Sequence, residues 1–323
     1  ISIVISAGEP SGDLLGAALM QQFPSNYKAF GVVGDKMRNA GVGAVSDISE
    51  LSAMGFSPVV KKIFRIKKCH DQLLSEIKRR KPKFVILIDY PGFHLSIGAK
   101  IKSLGIPVIL YVAPQLWAWK PKRALKLKNQ IDLILGILPF EKDFFDFYKV
   151  PFSYVGSPVL ERVQSFKEQK KVSIVKKELK TISFFPGSRQ QEYSRILPTI
   201  CNIISELKKR SQTYSFIVHI APTIKQDEHF TEALQSLGVL VDQGLSLDLM
   251  AKSDFALLTS GTASLECFLM GTPCAVFYKM SVLNYWIAKR LVTVPYIALP
   301  NLIAGKKVIN SEKIVLERIN KIE

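Results

Sequence analysis

Four short runs of the chain combine residue types that can move a proton or hold a phosphate. In Asp89-Tyr90-Pro91-Gly92-Phe93-His94 an acid directly follows the apolar run Phe84–Ile88. If that run is a parallel strand, Asp89 stands at its carboxyl end, where open α/β sheets bind ligands and where a general base belongs. Acids at such places also cap turns, and the sequence leaves both uses open. In Phe185-Pro186-Gly187-Ser188-Arg189-Gln190-Gln191-Glu192 an arginine sits on a loop of small residues, and its planar fork suits a diphosphate. In Thr259-Ser260-Gly261-Thr262-Ala263-Ser264-Leu265-Glu266 small residues let a phosphate approach backbone N–H groups, and Glu266, one turn on, can reach a pair of ribose hydroxyls. Two such loops in one half of the chain point to a nucleoside-diphosphate donor.

The fourth run, Gly8-Glu9-Pro10-Ser11-Gly12-Asp13-Leu14-Leu15-Gly16, permits a tight strand-to-helix turn whose free N–H groups face an anion or polar ligand. It reads equally as a Ser/Asp-capped helix start. It is not GxGxxG and no P-loop lysine follows, which weighs against dinucleotide binding and nucleotide hydrolysis. The two tryptophans of Ala113-Pro114-Gln115-Leu116-Trp117-Ala118-Trp119, beside a basic stretch, line either an acyl-chain or sugar site or simply the core.

Some patterns are missing. There is no Asp-x-Asp, which disfavours a metal-chelating sugar transferase, and no HExxH or GxSxG. His70, His94, His219 and His229 are scattered and read as structural or solvated side chains. Cys69, Cys201, Cys267 and Cys274 show no metal-ligand spacing and read as reduced, buried thiols of a cytoplasmic protein. A diphosphate leaving without a metal needs Arg and a helix N-terminus to absorb its charge.

These runs need strands to carry them. Apolar stretches at Ile1–Ala7, Phe30–Val33, Phe84–Ile88, Val108–Val112 and Leu133–Leu138 alternate with helical patterns such as Asp13–Gln22 and Cys69–Arg80. The alternation restarts with strands Ile182–Phe185, Phe216–Ile220, Phe255–Leu258 and Cys274–Phe277, and helices over Arg195–Arg210, Thr231–Leu237 and Ser264–Met270. Continuous apolar strands separated by helices mean parallel sheets covered on both faces. A Lys-rich, weakly periodic stretch places the domain boundary near residues 157–180. The expected fold class is α/β, two Rossmann-like domains facing a central cleft.

At 323 residues and 48% apolar content each domain can bury an ordinary core, and disorder is excluded. The net charge of +17 is concentrated: Lys61–Lys83 carries a net +8, and Lys120–Lys128 adds five bases without an acid. The first stretch interleaves its charges with Val59, Val60, Ile63, Phe64 and Ile66 near helical spacing. That is the pattern of a helix lying on anionic lipid, or of a solvated helix whose apolar stripe packs on a sheet. No RNP, KH, zinc-finger or homeodomain-like pattern accompanies the charge, so nucleic acid is not an expected partner. No signal peptide is expected at the start, and Ile106–Trp119 and Leu291–Gly305, broken by prolines, fall short of the ~20 apolar residues of a spanning helix.

In this order the motifs resemble the lipid-A-disaccharide synthase family of inverting glycosyltransferases. The resemblance runs from Ala7–Asp13 through Ile88–His94, Ala113–Trp119, Pro186–Glu192 and Thr259–Glu266 to Val294–Gly305. It implies a GT-B type glycosyltransferase fold. Residues 1–157 would form an acceptor- and membrane-facing domain and residues 158–323 a UDP-sugar domain, with the last helices returning to the first. It implies UDP-2,3-diacylglucosamine and 2,3-diacylglucosamine 1-phosphate (lipid X) as substrates, a β(1→6)-linked disaccharide 1-phosphate and UDP as products, and no cofactor or metal. It also implies peripheral attachment to the phospholipid of the inner membrane on its cytoplasmic face.

Carried over by residue, Asp89 matches the family's acidic position and would deprotonate the acceptor 6-hydroxyl. Glu9, Ser11, Gly12 and Asp13 would serve the acceptor side. Ser188, Arg189, Glu192, Ser260, Gly261, Thr262 and Ser264 would hold UDP, Arg189 on its diphosphate. Glu266 would hold the ribose, and Asn301 of the Leu299-Pro300-Asn301 block would join them. Gly92 and His94 stand where many members carry Asp and Asn, leaving Asp89 the sole carboxylate of its loop. After Gly305, Lys306–Asn310 runs into Ser311 without the usual Pro-Glu-Leu-Leu-Gln-like segment. Another UDP-N-acetylglucosamine enzyme of the same fold, a peptidoglycan transferase or 2-epimerase, is the nearest rival. A non-catalytic basic protein binding membrane or nucleic acid is the more distant one.

Overall fold

The structure is a computed structural model that describes residues 1–51, 59–170, 180–211, 213–225, 228–280, 286, 290, 292 and 294–315. The chain divides into two compact units, Ile1–Gly156 and Ser157–Glu323. Part of the expected boundary stretch, 171–179, and the C-terminal residues 316–323, expected to return to the first domain, lie outside the described residues.

The first unit is built on strands β1 (Ser2–Ala7), β2 (Lys28–Val33), β3 (Gly43–Asp47), β4 (Val85–Ile88), β5 (Val108–Tyr111), β6 (Leu133–Gly136) and β7 (Phe152–Tyr154). They lie in the order β3-β2-β1-β4-β5-β6-β7, every neighbouring pair parallel. The connecting helices are α1 (Pro10–Gln22), α2 (Asp35–Asn39), α3 (Val59–Arg80), α4 (Pro91–Lys102), α5 (Leu116–Trp119), α6 (Ala124–Leu127) and α7 (Glu141–Phe147). Strand side chains alternate between faces, and two cores result. Ile3, Ile5, Ile86 and Ile88 pack with Ala17 and Met37 on one face. Val4, Val85 and Leu87 pack with Leu73, Ile77, Phe93 and Ile97 on the other. Ser6 follows Val4 in the alternation, which turns its hydroxyl toward α4.

The second unit repeats the plan. Strands β8 (Lys180–Phe185), β9 (Tyr214–His219), β10 (Leu240–Asp242), β11 (Phe255–Thr259), β12 (Cys274–Met280) and β13 (Asn310–Val315) lie in the order β10-β9-β8-β11-β12-β13, again all parallel. Its helices are α8 (Pro158–Gln169), α9 (Gln190–Arg210), α10 (Glu228–Ser236), α11 (Ser246–Lys252), α12 (Thr262–Met270) and α13 (Leu299–Ala304). Phe184, Phe216 and Val218 face α9 through Ile196 and Ile200, while Phe185, Ala256, Leu258 and Val276 face Met250 and Cys267.

The nine strands expected from apolar runs are all present. Four are added: β3, β7, β10 and β13. Each is the outer strand of its sheet, covered less and therefore more polar than a central strand.

One motif residue holds two elements together. Asp13, expected on the acceptor side, is buried in α1. Its Oδ1 accepts from the Gly34 and Met37 N–H groups at 2.8 and 3.1 Å, and its Oδ2 from Lys36 N–H at 2.9 Å. It supplies the cap that Gly34 lacks at the start of α2. Asp13→Ala strips a cap and leaves buried donors unpaired, so it should cost about 2–4 kcal/mol of stability. Urea unfolding checks this, and an unchanged midpoint would contradict it.

Candidate functional site

In each sheet the strand order reverses direction once, between β1 and β4 in the first unit and between β8 and β11 in the second. Connections on the two sides of such a point diverge and leave a crevice at the carboxyl ends of the strands. The four sequence motifs sit on the loops that leave those four strands.

In the first unit the loop after β1 lies against the turn after β4. A Cβ on Gly8 would fall 2.3 Å from the Tyr90 ring, so only glycine allows this approach. Glu9 precedes α1 in extended conformation, Ser11 is exposed, and Gly12 lies beneath the carbonyl of Ile88. Asp89 and Tyr90 are consecutive left-handed residues, with φ of +52° and +50°. Such conformations cost on the order of 1–3 kcal/mol each and persist where the surroundings impose them. Here Asp89 N–H donates to the Tyr111 carbonyl at 2.8 Å, and Tyr90 O–H donates to the Leu51 carbonyl at 3.0 Å. Val112, after β5, is also left-handed at φ +72°, an outlier for a β-branched residue. Glu9, Ser11, Gly12 and the half-buried Asp89 therefore come together at one edge of this unit.

His94, one turn into α4, is fully buried. Its Nδ1 lies 2.6 Å from the Asp89 carbonyl and its Nε2 3.2 Å from Ser6 Oγ. Burial pulls its pKa down to about 4, against the pull of the Asp89 and Ile88 backbone groups it meets, so the ring is neutral.

The tryptophans divide. Trp117 belongs to the core, its ring edge-on to Phe140 at 4.9 Å and its indole N–H donated to Glu141 Oε1 at 3.2 Å. Trp119 is exposed, with Lys120 Nζ 4.3 Å from its ring. Burial pushes Glu141 up to about 7, although Trp117 and the Leu138 N–H both favour its ionised form.

In the second unit the loop after β8 lies against the end of β11. Gly187 has φ +104°, and a Cβ there would stand 3.1 Å from Glu192 Oε2 and 3.2 Å from Thr259 Oγ1. Thr223 O–H donates to the Ser188 carbonyl at 2.7 Å, while Gln190 and the Lys225 backbone pair reciprocally, fixing the loop after β9 against this one. Glu192 accepts from Tyr278 O–H at 3.3 Å and lies 3.4 Å from Arg189 Nη1, whose side chain is 71% exposed. Burial and the Glu192 carboxylate raise the Tyr278 phenol, keeping it a donor. Ser188, Arg189, Gly261 and Thr262 line the same edge, and Ser260 Oγ donates to the Ile297 carbonyl at 2.9 Å.

Ser264, Glu266 and Asn301, expected at UDP, are buried with their polar atoms paired inside the unit. Ser264 is buried and donates to the Gly261 carbonyl at 2.7 Å. Glu266 is buried in an ion pair with Arg162 of α8. Asn301 is buried, its Oδ1 accepting from the Val308 and Ile309 N–H groups at 2.8 Å and its Nδ2 donating to the Ile309 carbonyl at 2.9 Å. Ser264 and Asn301 thus shape backbone at this edge. Tyr278, Arg162 and Thr223 belong to no motif of the sequence, and Gln190 lies inside the Phe185–Glu192 run with no role assigned to it. Tyr278 sits in an ordinary apolar strand and Arg162 in an ordinary polar helix, with no pattern to mark either. Among the described residues no group of three or more His, Cys, Asp or Glu is placed to hold a metal ion.

The architecture has counterparts among solved structures. UDP-GlcNAc 2-epimerase from Neisseria meningitidis, bound to UDP-GlcNAc, superposes with a TM-score of 0.58 at 15% identity, over 94% of this chain and 90% of that one. MurG from Acinetobacter baumannii does so with a TM-score of 0.54 at 13% identity, over 97% of this chain and 86% of that one. At such identities the likeness is one of fold, and the fold is the GT-B type. A family model described as lipid-A-disaccharide synthetase matches residues 3–319. Lipid-A-disaccharide synthase from Myxococcus xanthus is 37% identical over 319 residues, 95% of this chain and 82% of that protein. The chain belongs to the lipid-A-disaccharide synthetase family and is a glycosyltransferase.

The Glu141–Trp117 pair gives a direct readout. Below about pH 7 Glu141 holds its proton, and above it the carboxylate accepts the indole N–H. Tryptophan emission should titrate with a midpoint near 7, and Glu141→Gln should flatten the curve. A wild-type curve flat from pH 5 to 9 would contradict it.

Proposed function

We propose that the chain joins UDP-2,3-diacylglucosamine to 2,3-diacylglucosamine 1-phosphate (lipid X), forming the β(1→6)-linked disaccharide 1-phosphate and UDP. The observation that carries the site assignment is the left-handed Asp89–Tyr90 turn, which sets a carboxylate at the crevice end of the first sheet. In this reading the first unit takes the acceptor, with Glu9, Ser11 and Gly12 around it, and the second takes the UDP-sugar.

The reaction is a single in-line displacement. The acceptor 6-oxygen attacks the donor anomeric carbon, its proton passes to Asp89, and the bond from that carbon to the UDP oxygen breaks with inversion. Charge on departing UDP is taken up by Arg189 and by the N–H groups at Gly261–Thr262, where α12 begins. Arg189 is suited to this because its exposed ion pair with Glu192 is weak and readily exchanged for a diphosphate. Glu266, held by Arg162, serves the ribose.

The acyl chains of both substrates fit a protein working at a lipid surface, and we place this one on the cytoplasmic face of the inner membrane. From Cys69 onward α3 packs on the sheet through Leu73 and Ile77, but Ile63 and Phe64 are 60% and 67% exposed among Arg65, Lys67 and Lys68. Leu125 within the Lys120–Lys128 stretch, and Trp119 directly before it, are exposed. Apolar tips amid bases suit anionic lipid. Among the described residues no helix is long and apolar enough to cross a membrane.

General-base assistance is worth about 10²–10⁴ in rate, so Asp89→Asn should lower kcat by that factor with donor affinity within about threefold of wild type. Near-wild-type turnover would remove Asp89 from the role. Arg189→Ala should weaken UDP binding at least about tenfold, the scale of a charge-assisted contact to phosphate. Unchanged UDP affinity by calorimetry would remove Arg189.

A further inference from the structure

The Asp89–Tyr90 turn is strained, and the contacts that hold it come from several elements. One of them carries more chemical information than packing does. The Asp89 carbonyl can only accept a hydrogen bond, so the His94 Nδ1 that lies 2.6 Å away must carry the proton. In the neutral ring Nε2 is then a bare acceptor, and Ser6 O–H, at 3.2 Å, is the donor set beside it. A chain of two hydrogen bonds thus runs from β1, through His94 on α4, to the backbone of Asp89. It crosses between the two strands at which the sheet order reverses. Phe93, 5.3 Å from the His94 ring, and Tyr90, 6.4 Å from it, close the surroundings edge-on.

We propose that His94, oriented by Ser6, is a positioning residue that fixes the direction of the Asp89 carboxylate by donating its Nδ1–H to the Asp89 carbonyl. The proposal rests on Asp89 being the base. The Asp89 carbonyl and side chain share one Cα, so an N–H anchored on the carbonyl sets the φ and ψ from which the carboxylate projects. With that anchor gone, two left-handed residues in succession are free to relax toward ordinary backbone, and the carboxylate moves with them. Displacement of a catalytic group by about 1 Å is enough for a loss near 100-fold. His94 touches neither substrate in this scheme and acts through Asp89 alone.

Side-chain geometry supplies a discriminating set of variants. The amide nitrogen of asparagine is as many bonds from Cα as histidine Nδ1, so His94→Asn keeps a donor for the Asp89 carbonyl. The amide of glutamine matches Nε2 instead, so His94→Gln keeps the Ser6 contact and loses the anchor. His94→Phe keeps the ring volume and loses both. In the full-length chain, with substrates in detergent, His94→Phe and His94→Gln should lower kcat about 10–100-fold while KM for the donor and UDP affinity stay within about twofold. His94→Asn should recover to within about threefold of wild type, and Ser6→Ala should lose about 3–10-fold, since it frees the ring without removing its donor. In an Asp89→Asn background His94→Phe should add less than about twofold, because two residues acting through one group are not additive.

Equal losses for Asn, Gln and Phe at His94, with UDP affinity falling in parallel, would mean that His94 only packs, and would overturn the proposal. So would full His94→Phe activity beside an impaired Asp89→Asn. An active Asp89→Asn would instead remove the base assignment on which the proposal stands. If His94→Phe does not fold, the Asn–Gln contrast and Ser6→Ala decide the matter.

Discussion

Every strand pair in both sheets is parallel, and that constraint organises all else in the molecule. A parallel strand cannot turn back on itself, so its chain must leave at the carboxyl end and cross over through a helix. All strand exits in a unit therefore fall on one edge of its sheet. Where the strand order reverses, the two diverging connections cannot cover that edge between them. The loops after β1 and β4, and after β8 and β11, are the ones that border the uncovered positions. Their glycines, left-handed residues and small side chains are what such abrupt exits require, and the same features bring backbone N–H groups and single acids to a ligand.

Within these loops the polar residues divide by where their hydrogen bonds go. A buried carboxylate or amide must be satisfied in place, since leaving it unpaired costs on the order of 1–3 kcal/mol or more. Asp13 meets that demand with three backbone N–H groups, Asn301 with its contacts to residues 308 and 309, and Ser264 with the carbonyl of Gly261. Those side chains build the loops. Ser11, Ser188, Arg189 and Thr262 are exposed at the same edges. Glu266 stands between the two sets, buried yet neutralised by a half-exposed arginine, Arg162.

The central strands were legible in the sequence because burial on both faces writes a continuous apolar run, as in Val85–Ile88 or Phe255–Leu258. The strands at the sheet edges were not, because β3 with Ser46 and Asp47, or β10 with Asp242, has one neighbour and little cover. Residue type and spacing marked the four loops that leave β1, β4, β8 and β11. They did not tell Asp13 from Glu9, or Ser264 from Thr262, because the direction of a side chain is set by partners distant in sequence. Gly34 for Asp13 and Arg162 for Glu266 are examples. Helices start earlier than their apolar periodicity shows for a related reason: Pro10 at the first turn of α1 and Thr262 at that of α12 lie inside the motifs, so the loop motifs are themselves the opening turns of helices.

Transfer between two acylated sugars is tested most directly by UDP release from the purified chain in detergent with EDTA. Release should be measured with UDP-2,3-diacylglucosamine alone and with lipid X added. The account predicts release that depends on lipid X, survives chelation, and matches the disaccharide 1-phosphate formed one for one. Release that ignores lipid X, or a protein that neither binds nor liberates UDP, would contradict it.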